Sequence, residues 1–342
     1  MAIGAAAIVL ALSAGMLYER LAIVALDQKS TSVAVGTNMT VLRVWGEDLG
    51  GGKTEAHYDQ LENVTIENTR KVVGIPGLVP AEQRGKIAVW QTGVISKAVG
   101  IGDMPATEEL VTFDRRTGLT TGDGRDKKSA GTLDDPQAMR PIKHAGLFFK
   151  FPFNVEKKAY PWWDGDMERA ATMEFVREET IAGVDTFVFV QRTPVTPLKS
   201  VSVPAQVFGG TGGMVDAVPF YGNTRTVWVE PNTGVVIKGQ EELDKTLRGS
   251  LGTVVTTKGT LAYNDATVRA NANEYRVKGQ LLGFLRDSLT SVGLIVGGLA
   301  LAAGLVLLLT GRASRPAART ADGVAGLGVS AQDSRRQRRA RV

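Results

Sequence analysis

Cysteine is absent from this chain of 342 residues, which removes disulfides, thiol catalysis and thiolate metal sites together. Histidine is nearly absent too. His57 and His144 stand far apart, so a histidine-rich metal centre is excluded and a histidine acid-base pair is not expected. No GxSxG elbow occurs, and FGGTGGM at Phe208–Met214 lacks the Lys-Ser/Thr pair of a phosphate loop. GDGRD at Gly122–Asp126 lacks the further acidic ligands of a calcium loop and reads as a solvated turn. The acids Asp164, Asp166 and Glu168 have no obvious partner nearby in sequence. Nothing in the chain identifies a reaction. We expect a non-enzyme with no cofactor and no metal.

Charge is also missing over one long stretch. Residues 288–311, SLTSVGLIVGGLALAAGLVLLLTG, carry no ionisable side chain and read as a transmembrane helix. At about 1.5 Å per residue, 24 helical residues reach about 36 Å, enough to cross a hydrocarbon core of about 30 Å. A second apolar run, Ala2–Leu17, leads into Tyr18, Glu19 and Arg20. Residues 1–26 therefore read as a transmembrane signal anchor, with a cleaved signal peptide as the rival. No Lys or Arg precedes Ile3, so the true start is open to lying upstream.

Basic charge collects at the far end. Residues 312–342 hold Arg312, Arg315, Arg319, Arg335, Arg336, Arg338, Arg339 and Arg341 against Asp322 and Asp333, which accounts for the net charge of +5 and leaves the body near neutral. Beside a span, arginines are retained in the cytoplasm. The tail reads as a disordered cytoplasmic segment that sets topology and touches lipid headgroups, rather than as a nucleic-acid arm. Both termini are then cytoplasmic, and residues 27–264 form an extracytoplasmic domain.

Within that body, Ser32–Trp45, Asn63–Val73, Lys86–Val94, Leu110–Asp114, Met173–Ile181, Thr186–Gln191 and Arg225–Glu230 read as strands separated by Gly- and Pro-rich turns. ENTRKVVG resembles REETIAG, KIAVWQT resembles TFVFVQRT, and VTFDRRTG resembles VWVEPNTG. These similarities suggest a duplicated antiparallel meander with lobes 32–150 and 151–264, although any β-rich chain offers such hairpins. In each acid-x-x-Thr-Gly turn the acid can bind backbone N–H groups while Gly takes a positive φ. Residues 265–287 read as a juxtamembrane helix capped by Asp265, with Val268, Tyr275, Leu282 and Leu285 on one face. The fold class is a membrane-anchored β-rich (α+β) protein, its large antiparallel-sheet ectodomain flanked by N- and C-terminal transmembrane helices.

FPFNVEKKAYPWWDGD, residues 151–166, is the densest local signature. Together with LDQ at Leu26–Gln28, FDRRTG at Phe113–Gly118, EETIAG and WVEPNTG, it resembles an actinobacterial envelope family called PorA-like, or porin-A. The resemblance covers nearly the whole chain and implies two spans around a large exported domain; it carries no catalytic residues. Phe149, Phe151, Phe153, Tyr160, Trp162 and Trp163 are candidates for a lipid groove or a membrane-interface contact, against the blander reading of an aromatic core. The expected function is to bind or pass on a lipid or other amphiphile. The partner is membrane lipid, envelope proteins are further partners, and no nucleic acid is involved. A scaffold in an envelope complex and an oligomeric channel are the alternatives, with an undetected hydrolase behind them.

Overall fold

The computed structural model describes residues 2–51, 53–129 and 138–312. The helix α1 (Ala2–Leu21) opens the chain and a nearly continuous helical run closes it. Between them the described residues form fourteen strands: β1 (Lys29–Gly50), β2 (Lys53–Gly74), β3 (Ile87–Ala98), β4 (Gly102–Asp103), β5 (Thr107–Asp114), β6 (Lys127–Ser129), β7 (Met139–Pro141), β8 (Tyr160–Asp164), β9 (Arg169–Ile181), β10 (Val184–Pro197), β11 (Val201–Pro204), β12 (Met214–Val229), β13 (Val236–Gly249) and β14 (Gly252–Tyr263). All pair into one sheet in the order β7-β6-β5-β3-β2-β1-β14-β13-β12-β10-β9-β8, with β4 and β11 attached at the side. The two halves of the chain meet where β1 pairs antiparallel with β14. The sheet is unbroken there, so it does not show the expected division into lobes 32–150 and 151–264.

The sheet curls until its ends meet. β5 bridges to Thr120, Leu119 to Leu147, and Leu147 to Trp162 of β8. Backbone bonds complete the seam: Leu147 N donates to Pro161 O and Trp163 N donates to Leu147 O, each at 2.8 Å. A closed sheet has no long free edge to recruit other strands. Its interior face follows the two-residue period of a strand: Ser32 and Ala34, Asn68 and Arg70, Thr92 and Val94, Thr107 and Glu109, Arg225 and Val227, and Leu261 and Tyr263 line one cavity. The largest apolar core fills the β8-β9-β10-β12 side, where Phe151, Tyr160, Trp162, Met173 and Phe189 pack together.

After β14 the chain turns into α2 (Asp265–Gly283). The N-cap is Asn264, whose side chain accepts from Thr267 N at 2.9 Å; Asp265 instead occupies the first turn. Val268 and Ala272 pack on Ile237 and Val184 of the barrel. One π-helical turn, Phe284–Ser288, joins α2 to α3 (Leu289–Arg312). Among the described residues, this run is the one long and apolar enough to cross a membrane, from Asp265 to Thr310. The N-terminal segment forms a helix of 20 residues but does not add a second such span. It packs along α3 through Ala11 and Ala14, both buried, and Thr290 donates to Ala11 O at 3.4 Å. Leu21 meets Leu281 and Leu282 at one cavity, so α1 and the C-terminal run are antiparallel. The basic tail beyond Arg312 lies outside the described residues.

Candidate functional site

The site is built around a short strap, Phe148–Phe153, gripped by two turns of the same chemistry. Asp114 accepts from Arg116 N, Thr117 N and Thr117 Oγ1 at 2.7–3.0 Å. Glu230 likewise accepts from Asn232 N, Thr233 N and Thr233 Oγ1. Gly118 and Gly234 both sit at φ +74°, where an L side chain is strained. Both press on the strap: a Cβ on Gly118 would lie 2.8 Å from Lys150 O, and one on Gly234 would lie 2.2 Å from Phe151 O. Phe151 N donates to Gly234 O, and Phe153 N to Arg116 O. The turn chemistry read from the sequence is what holds the aromatic signature in place.

Two cavities meet at this strap. The first, of about 400 Å³, opens where α1 and α2 leave the barrel; Leu21, Ile23, Val24, Val72, Trp90, Phe153, Leu281 and Leu282 give it an apolar wall. The second, of about 470 Å³, occupies the barrel interior. Ser32, Arg70, Phe149, Val236 and Tyr263 line both and form a neck between them. Each volume is within the range of about 300–1,000 Å³ typical of small-molecule pockets. The six sequence candidates therefore divide. Phe149 and Phe153 face the outer cavity, Phe149, Trp162 and Trp163 the inner one, and Phe151 and Tyr160 belong to the core.

The inner cavity is lined with charges that neutralise one another. Arg225 donates to Glu241 at 2.7 Å, Lys245 binds Asp166 at 2.8 Å, and Lys128 binds Glu168 at 3.1 Å. Glu109 lies 2.7 Å from His144 Nε2, while His144 Nδ1 lies 2.9 Å from Asp126. Burial opposes the imidazolium of His144, but bonds to Asp126 and Glu109 outweigh it and raise its pKa. Asp126 is buried and also accepts from Thr112 N, so the end of the GDGRD stretch is an internal anchor rather than a solvated turn. Asp164, Asp166 and Glu168 all gain partners: Tyr221 Oη donates to Asp164 at 2.8 Å, and Glu168 also binds Arg140. These networks stabilise the barrel wall.

Two cations break this pattern. Arg70 donates to Thr92 Oγ1 at 2.9 Å and lies over the rings of Phe148 and Phe149, with no carboxylate partner among the described residues. Lys150 is 4% exposed; its Nζ has no hydrogen-bond partner and sits 3.6 Å from the Phe153 ring centroid. Burial pushes its pKa down to about 7, against the weaker pull of Glu230 and Asp114. At the mouth, by contrast, Lys278 is bound to Glu274 at 2.7 Å. The sequence reading passed over Arg70 and Lys150. The one available signal was a lone lysine between Phe149 and Phe151, in a run otherwise suited to burial.

A family model described as Porin PorA matches residues 1–306. The chain belongs to the Porin PorA family. A Porin PorA from Corynebacterium amycolatum is 30% identical over 166 residues, covering 40% of this chain and 42% of that protein. A Porin PorA from Corynebacterium resistens is 24% identical over 195 residues, covering 40% of this chain and 46% of its own length. The alignments thus span less than half of either relative. PorA membership agrees with the resemblance carried by the Phe151–Asp166 signature and identifies a protein of the cell envelope. Within this PorA-family chain, the signature contributes Phe153 to the outer cavity and Trp162 and Trp163 to the inner one.

Proposed function

We propose that this protein is a non-enzymatic carrier that takes an amphiphile from the membrane into its barrel through the cavity at the base of α1 and α2. The observation that carries this reading is a cavity at the helix bases, with an apolar wall and few charges, that shares five lining residues with a more highly charged cavity inside the barrel. Such a gradient suits a molecule with an apolar chain and a polar head. The proposal includes anchoring of the barrel at the membrane by α3, with α1 packed alongside it. It is supported by Val9, Leu12 and Met16 of α1, each at least 64% exposed, beside the similarly exposed Leu299 and Leu307 of α3, faces that suit lipid better than water. The outer barrel wall suits water: Glu174 and Arg177 are exposed on the outer face of β9, and charge on a lipid-facing strand is costly.

Native mass spectrometry of the full chain purified in mild detergent tests the reading. A bound amphiphile is expected, and Ser32→Trp, which fills the neck, is expected to reduce its occupancy while the protein remains folded. Ligand-free spectra across lipid-supplemented preparations would defeat it. The family description favours a second reading, a conducting oligomer. Unitary current steps from the purified protein in planar bilayers, with no bound amphiphile, would favour that over carriage.

A further inference from the structure

We infer that the amphiphile is anionic and that its oxyanion head is held at the neck by Lys150 and Arg70, with its chain directed toward the mouth. This rests on the carrier reading and narrows it to a ligand class. The argument is one of charge accounting. Every other charged side chain lining either cavity has an opposite partner: Glu109 with His144, Lys128 with Glu168, Asp166 with Lys245, Arg225 with Glu241, and Glu274 with Lys278. Among the described residues that line the cavities, Arg70 and Lys150 alone have no ion-pair partner.

Burial makes that remainder informative. An ammonium enclosed without a hydrogen-bond acceptor is costly, so burial leaves Lys150 only partly protonated near neutral pH, and a ligand that supplies an oxyanion favours the charged form. Lys150 meets an aromatic face instead of an acceptor. A hydrogen bond to an ionised oxygen would be stronger than that contact, because both groups are charged and little water competes. Arg70 lines both cavities, and stacking on Phe148 and Phe149 orients its guanidinium there. Its fork can bind two oxygens of a phosphate or carboxylate, while the lysine supplies a point charge. Ile23, Val24, Val72 and Trp90 line the same cavity as this pair and give the chain an apolar wall.

The test compares phosphatidylglycerol with phosphatidylcholine carrying identical acyl chains, titrated by native mass spectrometry into the delipidated full chain. The wild-type protein is expected to prefer the anionic lipid by about tenfold. Lys150→Met and Arg70→Gln are each expected to remove most of that preference while still binding phosphatidylcholine, which also shows that the variants remain folded. Equal wild-type binding of the two lipids would overturn the anionic assignment but leave the carrier reading intact. Binding of neither lipid would overturn both. Inorganic phosphate is expected not to displace the bound lipid; displacement would mean that a free anion, not a lipid head, is what the pair recognises.

Discussion

His144 illustrates how a residue with little promise in the sequence becomes structural in the fold. Its imidazole joins Glu109 on β5 to Asp126 in the following loop, and Asp126 in turn holds Thr112 N of β5. Because its folded pKa is raised, its stabilising contribution is fully present below the ordinary value of about 6.5 and is lost as pH rises through the folded value. Melting transitions followed across this range are expected to fall on the alkaline side. His144→Gln should remove that slope and cost about 3 kcal/mol at pH 6, because it leaves a buried carboxylate without its cation. A variant that keeps the wild-type pH profile would show that His144 is not the titrating group. Neither this cluster nor Lys150 was legible in the sequence. Their partners lie 18 or more positions away in His144's case, and burying a lysine without an acceptor runs against ordinary side-chain preference.

At the scale of elements, local rules read well wherever the chemistry was local. The long apolar helix, the hairpins and the two acid-x-x-Thr-Gly turns all form at the expected places. Helix α2 adds a coupling that local rules do not show. Gly279 brings it against the turn that holds the strap: a Cβ there would lie 2.4 Å from the Glu230 carboxylate, whose oxygens are already committed to hydrogen bonds. Helix propensity alone would make Gly279→Ala stabilising by about 1 kcal/mol. The clash is expected to reverse the sign, giving a net loss of about 1–3 kcal/mol in chemical or thermal unfolding. Gly298→Ala, which meets open space in α3, should show no such loss. Stabilisation by Gly279→Ala would mean that α2 does not rest on Glu230.

At the scale of the whole molecule, the sequence signalled a sheet but not its closure. A lumen that carries Asn68, Arg70, Thr92, Glu109 and Arg225 is polar on its inner face, while strands such as β9 are charged on the outer one. Hydrophobic alternation is weakened where both faces are polar, so the sequence pattern does not reveal which side is inside. The seam between β5 and β8 depends on single bridges at Thr120 and Leu147, which carry no recognisable strand signal. For the same reason, the aromatic signature could be recognised but not divided into core and cavity residues. The central claim, that the neck carries an amphiphile, is tested most directly by a photocrosslinking phenylalanine analogue at position 149, irradiated in membranes and read by mass spectrometry. The account predicts a lipid adduct at position 149 and none at the outward-facing position 174; adducts at both positions, or at neither, would contradict it.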